Sequence, residues 1–421
     1  MNSFLLRQST KKNSVFIWNA VASVLNAGQS VLLLMGISRI DPVVDAGVFT
    51  IAYAVANLMV MVGRYGVREF QSSDLQEKYS FKEYNTARII SCGGMFLICG
   101  VYVMFHCLNG TYTLYKGCSV FLICLARLVD AYEDVIHGFF QQHGYLETAS
   151  KIQMIRFCMY MFAYGIGYRL TEDLIWAGIA GVLVSGGFAV LLNGKTYHDI
   201  GISAGDRSWE KVRGLFAECF PLFVSVFLST YLGNAPKYAI DTVLTDEMQA
   251  RFNYIFMPVF VITLLSMFIY QPMVVKYANY WMDKDMRAFI REIRKQSLLL
   301  ASLLLLALIA AFFWGIPVLS AVFAVDLIGY RTQLLILIVG GGMLAYVNYF
   351  TMLITVMRYQ KLMFGGYIVV SVCFLAFGRD VVRNNGAEGL CVFYTVAMLA
   401  LALYCLLLIC RKISASLQAD F

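Results

Sequence analysis

The sequence repeats one pattern about twelve times, in which an apolar run of roughly 20 residues is followed by a polar segment. Runs of this length match the hydrocarbon thickness of a bilayer when they form helices, and they are far too long for strands of a membrane barrel. The windows, with ends set to within about four residues, are 15–37, 43–63, 88–108, 117–139, 150–168, 173–193, 214–234, 252–274, 297–317, 332–356, 361–378 and 389–410. The pattern predicts an all-α polytopic membrane protein with about 12 transmembrane helices. The composition agrees, because 60% apolar and 14% charged residues exclude a soluble enzyme.

Lysine and arginine are distributed unevenly between the two predicted faces of the membrane. With the N-terminus inside, 23 of the 33 Lys and Arg residues fall in cytoplasmic segments and eight on the opposite side. Because cytoplasmic loops are enriched in these residues, both termini are expected in the cytoplasm. The first apolar window lacks a small-residue cleavage site, so we interpret it as an uncleaved span. The net charge of +7 is therefore an orientation signal and does not indicate nucleic-acid binding.

The windows divide into two sets of six around a polar segment, 194–213. We predict an N-terminal six-helix bundle over 1–193, a cytoplasmic linker over 194–213 and a C-terminal six-helix bundle over 214–421. In each half the longest cytoplasmic loop follows the second span, which is typical of parallel repeats. The second of these loops contains KYANYWMDKDMRAFIREIRK, predicted to form an amphipathic helix on the inner surface. Five of the six prolines fall in the second half, which predicts more bent or broken helices there.

The fourth span carries ionisable residues on one face. At 100° per residue, five polar side chains fall within an arc of roughly 80°, with Glu133 beside it: Arg127, Asp130, Asp134, His137 and Gln141. Charges are costly in hydrocarbon, so this face must contact water or protein. One interpretation is an internal ion-pair ladder that begins with Arg127 and Asp130 at i+3. The other is a cavity wall that binds a polar substrate or carries a coupling proton or sodium ion, for which the candidates are Asp130, Glu133, Asp134 and His137.

Two further spans carry cations that suit a phosphate. In the fifth span, Arg156 could bind a phosphate in bidentate fashion and Tyr160 could stack on a sugar, or the arginine could pair with a carboxylate of the fourth span. In the seventh span, Gly233 and Pro236 are expected to break the helix. Lys237 follows and could meet a phosphate from the cavity or extend to the outer interface.

The first two spans add polar side chains at their faces and ends. Asn19 and Asn26 share a polar stripe that suits either helix packing or a wet cavity. Arg39 lies at the outer end of the first span. Arg64 and Arg68 follow the second span at the predicted inner interface, where they could bind a phosphate or act as ordinary positive-inside anchors.

Signatures of soluble chemistry are absent from the sequence. The eleven cysteines lie mostly in apolar runs without CxxC spacing, and the four histidines have no metal-ligand spacing, so neither a metal site nor a cofactor is expected. No P-loop, GxSxG or HExxH motif occurs. The predicted outer loops are short, which disfavours a membrane enzyme of glycan assembly.

Three stretches of the chain resemble a known transporter superfamily. They are NAVASVLNAGQSVLLLMGISRI with the following AGVFTIAYAVANL and YGVREFQSSD, then ARLVDAYEDVIHGFFQQHGYLETASKIQMIRF, and YLGNAPKYAID with FNYIFMPVFVITLLSMFIYQP. The sequence of these stretches is similar to that of the polysaccharide-repeat flippases, the Wzx type, of the multidrug/oligosaccharidyl-lipid/polysaccharide exporter (MOP) superfamily. The resemblance covers essentially the whole chain.

This resemblance implies two six-helix bundles around a central cavity in a bacterial plasma membrane. The implied activity is the movement of a polyprenyl-diphosphate-linked oligosaccharide from the inner to the outer leaflet by alternating access, for a capsule-like or O-antigen-like polysaccharide. Cavity cations would hold the diphosphate and sugar, and H⁺ or Na⁺ could be coupled. Polysaccharide polymerase machinery is a possible partner. Carried over by position, the cations would be Arg39, Arg127, Arg156 and Lys237. A peptidoglycan precursor is a less expected substrate, because lipid II flippases have additional C-terminal spans.

Two other functions remain open. A drug or small-solute exporter of the same fold, coupled to a proton or sodium gradient, would need an acidic and aromatic cavity. The mixed charges of the fourth and fifth spans do not decide between the two transporters. A membrane enzyme of glycan assembly is the second alternative, disfavoured by the short outer loops.

Overall fold

A computed structural model describes residues 12–74, 78–200, 206–357 and 359–419, and these residues form helices and connecting turns with no β-strand among them. Fourteen α-helices account for most of this described chain. They are α1 (Lys12–Ser38), α2 (Val44–Arg64), α3 (Val67–Ser73), α4 (Phe81–Leu108), α5 (Leu114–Gln142), α6 (Leu146–Thr171), α7 (Leu174–Ile200), α8 (Trp209–Asp241), α9 (Asp246–Tyr270), α10 (Val274–Met282), α11 (Met286–Ala310), α12 (Ile316–Phe323), α13 (Arg331–Val356) and α14 (Gln360–Ala419).

The helices provide the lengths that a membrane protein needs. Within the described residues, nine ranges are long and apolar enough to cross a bilayer. All twelve predicted windows lie in helical segments, but α5 and α6 are not among the nine. The last range, Leu362–Ala415, contains two predicted windows, and its backbone leaves helical geometry at Gly386 (φ 62°, ψ −158°). The all-α membrane class is therefore confirmed, and the count of twelve spans stays a prediction.

The chain forms two compact units, which we call unit 1 (Met1–Thr230) and unit 2 (Tyr231–Phe421). The boundary between them lies inside α8. The predicted division into two six-helix bundles with a linker over 194–213 stays a prediction.

Unit 1 is organised around α5, which packs against α2, α3, α4 and α7. Thr113 caps the start of α5 by accepting a hydrogen bond from the backbone of Lys116 at 3.2 Å. Close approach of α2 to its neighbours requires a glycine at position 63, because a Cβ there would lie 2.8 Å from Met95 Sδ and 2.9 Å from Ala131 Cβ. This contact sets α5 against the other helices along its polar face.

Unit 2 is organised around α13, which packs against α9, α11 and α14. A triplet of glycines over 340–342 lies at these crossings. A Cβ at Gly341 would lie 3.1 Å from the backbone of Val259, and one at Gly342 would lie 2.6 Å from Leu304. Small residues allow membrane helices to approach closely. Close packing therefore holds α13, the central helix of unit 2, whereas ion pairs hold α5, the central helix of unit 1.

Irregular helices do occur in unit 2, as the proline count predicts. A 3₁₀ turn over Gln271–Met273 contains a proline, and a π-helical turn over Ala311–Gly315 precedes the proline of α12. The predicted break at Gly233 and Pro236 is wrong, because α8 continues through both residues to Asp241. A proline removes one helical hydrogen bond, and neighbouring groups in a membrane helix can satisfy the freed carbonyl.

The predicted surface helix over 276–295 is two helices. A turn separates α10 from the start of α11, and Lys284 in that turn has a φ of 57°. Asp285 caps α11 by accepting a hydrogen bond from the backbone of Ala288 at 2.9 Å. An aspartate at this position favours the start of a new helix, which explains why a single long helix does not form.

Candidate functional site

The polar face of α5 is buried in unit 1, and its charged groups lie in ion pairs. Arg127 Nη1 donates to Asp130 Oδ2 at 2.6 Å, one helical turn away. The same arginine donates to Tyr53 Oη at 2.7 Å and to Asn26 Oδ1 at 3.3 Å. The pair predicted from i+3 spacing is therefore present, and α1 and α2 contribute the additional acceptors.

Arg156 of α6 joins this pair to a second carboxylate. Its Nη2 lies 2.7 Å from Asp130 Oδ1 and its Nε donates to Glu133 Oε2 at 2.6 Å. Its Nη1 donates to Ser185 Oγ of α7 at 2.8 Å. The side chain is only 2% exposed, so one arginine holds three helices together inside unit 1. Tyr160 is buried one turn further along α6.

Glu133 also contacts an amide and an imidazole. Asn193 Nδ2 donates to Glu133 Oε1 at 2.7 Å, and His137 Nε2 lies 3.6 Å from the same oxygen. The Nε2 atom of His137 also lies 3.2 Å from Asn193 Oδ1. A histidine placed between two such partners can hold or release a proton, which distinguishes this corner of the network from the arginine pairs.

Asp134 forms a separate cluster at the end of α5 nearer α3. Arg68 Nη1 and Arg88 Nη2 each lie 3.0 Å from one of its two oxygens. Arg88 Nη1 also donates to the carbonyl of Gly63 at 2.8 Å, which ties α4 to the end of α2. Arg64 acts on the carboxylate electrostatically, and its buried Nε has no hydrogen-bond partner among the described residues. The cluster therefore has more cations than anions.

This geometry matches the ion-pair ladder more closely than a wet cavity wall. Asp130, Glu133, Asp134 and His137 are all buried. Burying an isolated charge costs several kcal/mol, and opposite charges with satisfied hydrogen bonds offset that cost. The arginines that face the three carboxylates supply this compensation. Roles of these residues in binding substrate or a coupling ion remain predictions.

Other predicted site residues lie outside the network. Asn19 is exposed on α1. Arg39 lines a cavity of about 460 Å³ between the ends of α1 and α6, together with Arg169, Tyr164 and Tyr168. The remaining lining of this cavity is mostly apolar, and neither arginine forms an ion pair within the part of the chain that the structure describes.

Lys237 belongs to unit 2 and has a different environment. It is 6% exposed, and its Nζ lies 4.8 Å from the ring centre of Phe260 and 5.6 Å from that of Phe256. Neither an ion pair nor a hydrogen bond reaches this ammonium from the residues that the structure describes. The lysine therefore does not extend to the outer interface, which was one of the two predicted arrangements.

Asp45 is a buried polar residue that sequence reasoning missed. Its oxygens accept hydrogen bonds from Tyr115 at 2.9 Å and Tyr168 at 2.8 Å. It is 7% exposed, and no Lys, Arg or His pairs with it among the described residues. It lies in the first turn of α2, where carboxylates are common because they interact favourably with the helix dipole. A signal was present, because Tyr115 and Tyr168 both fall at the outer ends of predicted spans.

The partners of the network were also missed from sequence. Tyr53, Ser185 and Asn193 are isolated polar residues within apolar spans, where such residues are generally buried and functional or bonded to another helix. Arg88 lies at the predicted inner end of the third span. Its fully buried side chain could not be distinguished from a positive-inside anchor without the fold.

Comparison with known proteins identifies the fold. No protein-family model matches the chain, and no curated protein matches it. Solved structures of MATE transporters, among them the three that follow, align over nearly all of it. One is the inward-facing conformation of a multidrug resistance MATE family transporter of the MOP superfamily, with a TM-score of 0.72, 11% identity, and coverage of 97% of this chain and 100% of that chain.

The second is the eukaryotic MATE transporter AtDTX14, with a TM-score of 0.64, 11% identity, and coverage of 97% and 98%. The third is the outward-facing conformation of a multidrug resistance MATE family transporter of the MOP superfamily, with a TM-score of 0.57, 14% identity, and coverage of 98% of both chains. At these identities the alignments establish the fold. The chain is therefore a multi-pass α-helical membrane protein with the fold of the MATE transporters of the MOP superfamily.

Proposed function

We propose that this protein is a transporter and that it moves a polyprenyl-diphosphate-linked oligosaccharide from the inner to the outer leaflet of a bacterial plasma membrane. The fold supports a transporter in preference to an enzyme of glycan assembly. The sequence resemblance to the Wzx-type flippases supports the substrate class. The observation that carries the proposal is the environment of Lys237.

A buried ammonium without an anionic partner is expensive in a membrane protein. The rings of Phe256 and Phe260 offset part of this cost, because a cation is attracted to the face of an aromatic ring. An anionic ligand would offset the rest. A diphosphate supplies that charge, whereas a cationic drug would add to the repulsion.

The cavity of unit 1 supports a substrate that is both anionic and lipid-linked. Arg39 and Arg169 are free to bind a phosphate, and arginine does so through two parallel hydrogen bonds. The apolar wall that includes Leu32 and Phe162 suits a hydrocarbon chain. We therefore assign Arg39 and Lys237 to substrate binding. Arg127 and Arg156 act in this proposal through the ion pairs that hold the helices of unit 1.

Coupling to H⁺ or Na⁺ is part of the proposal. Each of Asp130 and Asp134 contacts two arginines, which stabilise the ionised carboxylate and oppose its protonation. Glu133 has one arginine and the imidazole of His137 beside it. Among the predicted candidates, we therefore favour the Glu133–His137 pair as the coupling site.

A drug or small-solute exporter is the second candidate, and Asp45 is the observation that favours it. A buried carboxylate held only by tyrosine hydroxyls suits an organic cation or a coupling ion, because no basic side chain among the described residues competes for it. The MATE fold is compatible with this activity as well.

The two candidates make opposite demands on Lys237 and Asp45. We would delete the gene, complement it with variants expressed at equal levels, and measure the leaflet distribution of lipid-linked repeat units in spheroplasts together with drug sensitivity. Lys237→Met should leave repeat units on the inner leaflet, Lys237→Arg should retain part of the activity, and Asp45→Asn should have a smaller effect. Lys412→Met is the control, because Lys412 also lies over a ring, that of Tyr359 at 4.1 Å, near the end of the chain.

The exporter would be favoured over the flippase by two results together. The deletion strain would show an unchanged leaflet distribution, and its drug sensitivity would change in a way that depends on Asp45. Normal flipping by Lys237→Met would reject the assignment of this lysine even if the flippase activity stands.

A further inference from the structure

The start of α11 presents a row of basic side chains that the proposed transport function does not use. Arg287, Arg291, Arg294 and Lys295 are all exposed and fall on one side of the helix at spacings of three or four residues. None of them forms an ion pair within the described part of the chain. Four cations without an ion pair over about two turns make a strongly positive surface.

The opposite side of the same helix is fixed against α10. Lys276 Nζ donates to Glu292 Oε2 at 3.0 Å, and Gln296 Nε2 donates to Glu292 Oε1 at 3.0 Å. The hydrogen bond to Glu292 also raises the pKa of Lys276. Phe289 is fully buried against Tyr277. These contacts involve Glu292, the only acidic residue of α11. The basic side chains therefore lie on the side of α11 that does not pack against α10.

Apolar side chains follow the basic ones along the same side of α11. The arginines and Lys295 line a cleft of about 760 Å³ together with Ile290, Leu298, Leu299 and Ser302, and no acidic residue lines it. Leu298 is 69% exposed and belongs to the range Met286–Phe323 that is apolar enough to cross a bilayer. One face of α11 therefore carries basic side chains at its start and apolar side chains after them. From Arg287 to Ser302 it is about 22 Å long, at 1.5 Å per residue.

We propose that this face, the α11 basic cleft, is a binding site for an anionic glycerophospholipid of the inner leaflet. The arginines would bind the phosphate of the headgroup through charge-assisted hydrogen bonds, and Leu298 and Leu299 would contact its acyl chains. Charge complementarity and the order of cations before leucines along the helix identify a lipid as the occupant. The site is distinct from the substrate-binding residues proposed above, and it does not depend on which substrate is transported.

The test compares lipid binding by two charge-matched variants. The purified protein would be placed in phosphatidylcholine nanodiscs that contain a minor fraction of fluorescent phosphatidylglycerol, and the affinity for that lipid would be measured by energy transfer from tryptophan. One variant is Arg287→Gln/Arg291→Gln/Arg294→Gln. Its control, Arg207→Gln/Lys211→Gln/Arg213→Gln, removes three exposed cations at or just before the start of another apolar helix, α8.

A basic residue near an anionic lipid surface contributes about a fivefold factor to binding. The α11 variant should therefore lose roughly a hundredfold in affinity, and the control should change by less than about threefold. Addition of inorganic phosphate should not displace the lipid. Arg291→Gln alone, which removes a central cation from an exposed position, covers the case in which the triple variant does not fold.

Equal losses in the two triple variants, or no loss in either, would refute a specific site and indicate general attraction of a positive surface. Displacement by inorganic phosphate would show a site for a free anion and also overturn the proposal. Leaflet distribution of the transported lipid is a separate readout, so failure here leaves the flippase proposal intact.

Discussion

Replacement of Arg156 by methionine tests whether the charge network is structural. The change removes the contacts to Asp130 at 2.7 Å, Glu133 at 2.6 Å and Ser185 at 2.8 Å. Asp130 keeps Arg127, but Glu133 loses its only arginine. Breaking a buried ion pair from one side costs about 3–5 kcal/mol, because a charge is left without compensation. At about 2–4 °C per kcal/mol for a unit of this size, the melting temperature should fall by roughly 6–20 °C.

A second substitution, combined with Arg156→Met, distinguishes two causes of the expected destabilisation: the unpaired charge and the lost side-chain volume. Glu133→Gln removes the carboxylate that Arg156→Met leaves unpaired, while its amide can still bond to Asn193. The double variant should recover at least half of the lost melting temperature, which is a coupling typical of residues in one network. Arg251→Gln is the control, because its pair with Glu247 at 2.9 Å is at the surface and such pairs contribute about 1 kcal/mol or less.

Melting would be followed by intrinsic fluorescence of the purified protein in detergent, at one heating rate for all variants. Two results would refute the reasoning. One is a single variant that melts like the parent protein yet fails to transport, since Arg156 would then act on substrate. The other is a double variant no more stable than the single one, since the unpaired Glu133 would not be the cause of the loss.

Two further predictions concern packing and the missed carboxylate. Gly342→Ala should cost about 1–3 kcal/mol, because the new Cβ would lie 2.6 Å from a leucine of α11, whereas Gly93→Ala has no atom within 4 Å and should be neutral or slightly stabilising. The same melting assay checks both, and equal melting temperatures would mean that α13 can shift without penalty. Tyr168→Phe should cost about 1–3 kcal/mol by removing one of two donors to the buried Asp45. Tyr346→Phe, which removes a bond to a backbone carbonyl at 2.7 Å, is the control and should cost less; a reversed order would show that Asp45 has another donor.

Hydropathy along the chain was sufficient to place the helices, because the length and polarity of each span depend only on local residues. The same applies to the polar face of α5. Residues 100° apart around a helix axis keep their relative positions whatever the helix packs against, so Arg127, Asp130 and His137 could be assigned to one face and the Arg127–Asp130 pair could be predicted. Helix irregularities were predicted less reliably from the sequence. Pro236 is accommodated within α8, whereas Asp285 starts a new helix where a single helix was predicted.

The partners of that face depended on the tertiary structure. Glu133 and Asp134 are adjacent in sequence, yet one contacts Arg156 and the other contacts Arg88, which are far apart along the chain. Periodicity predicts the side of a helix from which a residue projects, but which helix lies opposite depends on contacts between distant segments. Sequence therefore determined that buried charges exist in this membrane protein. Packing decided that those of α5 are compensated, whereas the charge of Lys237 is left without a partner among the described residues, because compensation requires an opposite charge within a few ångströms in space.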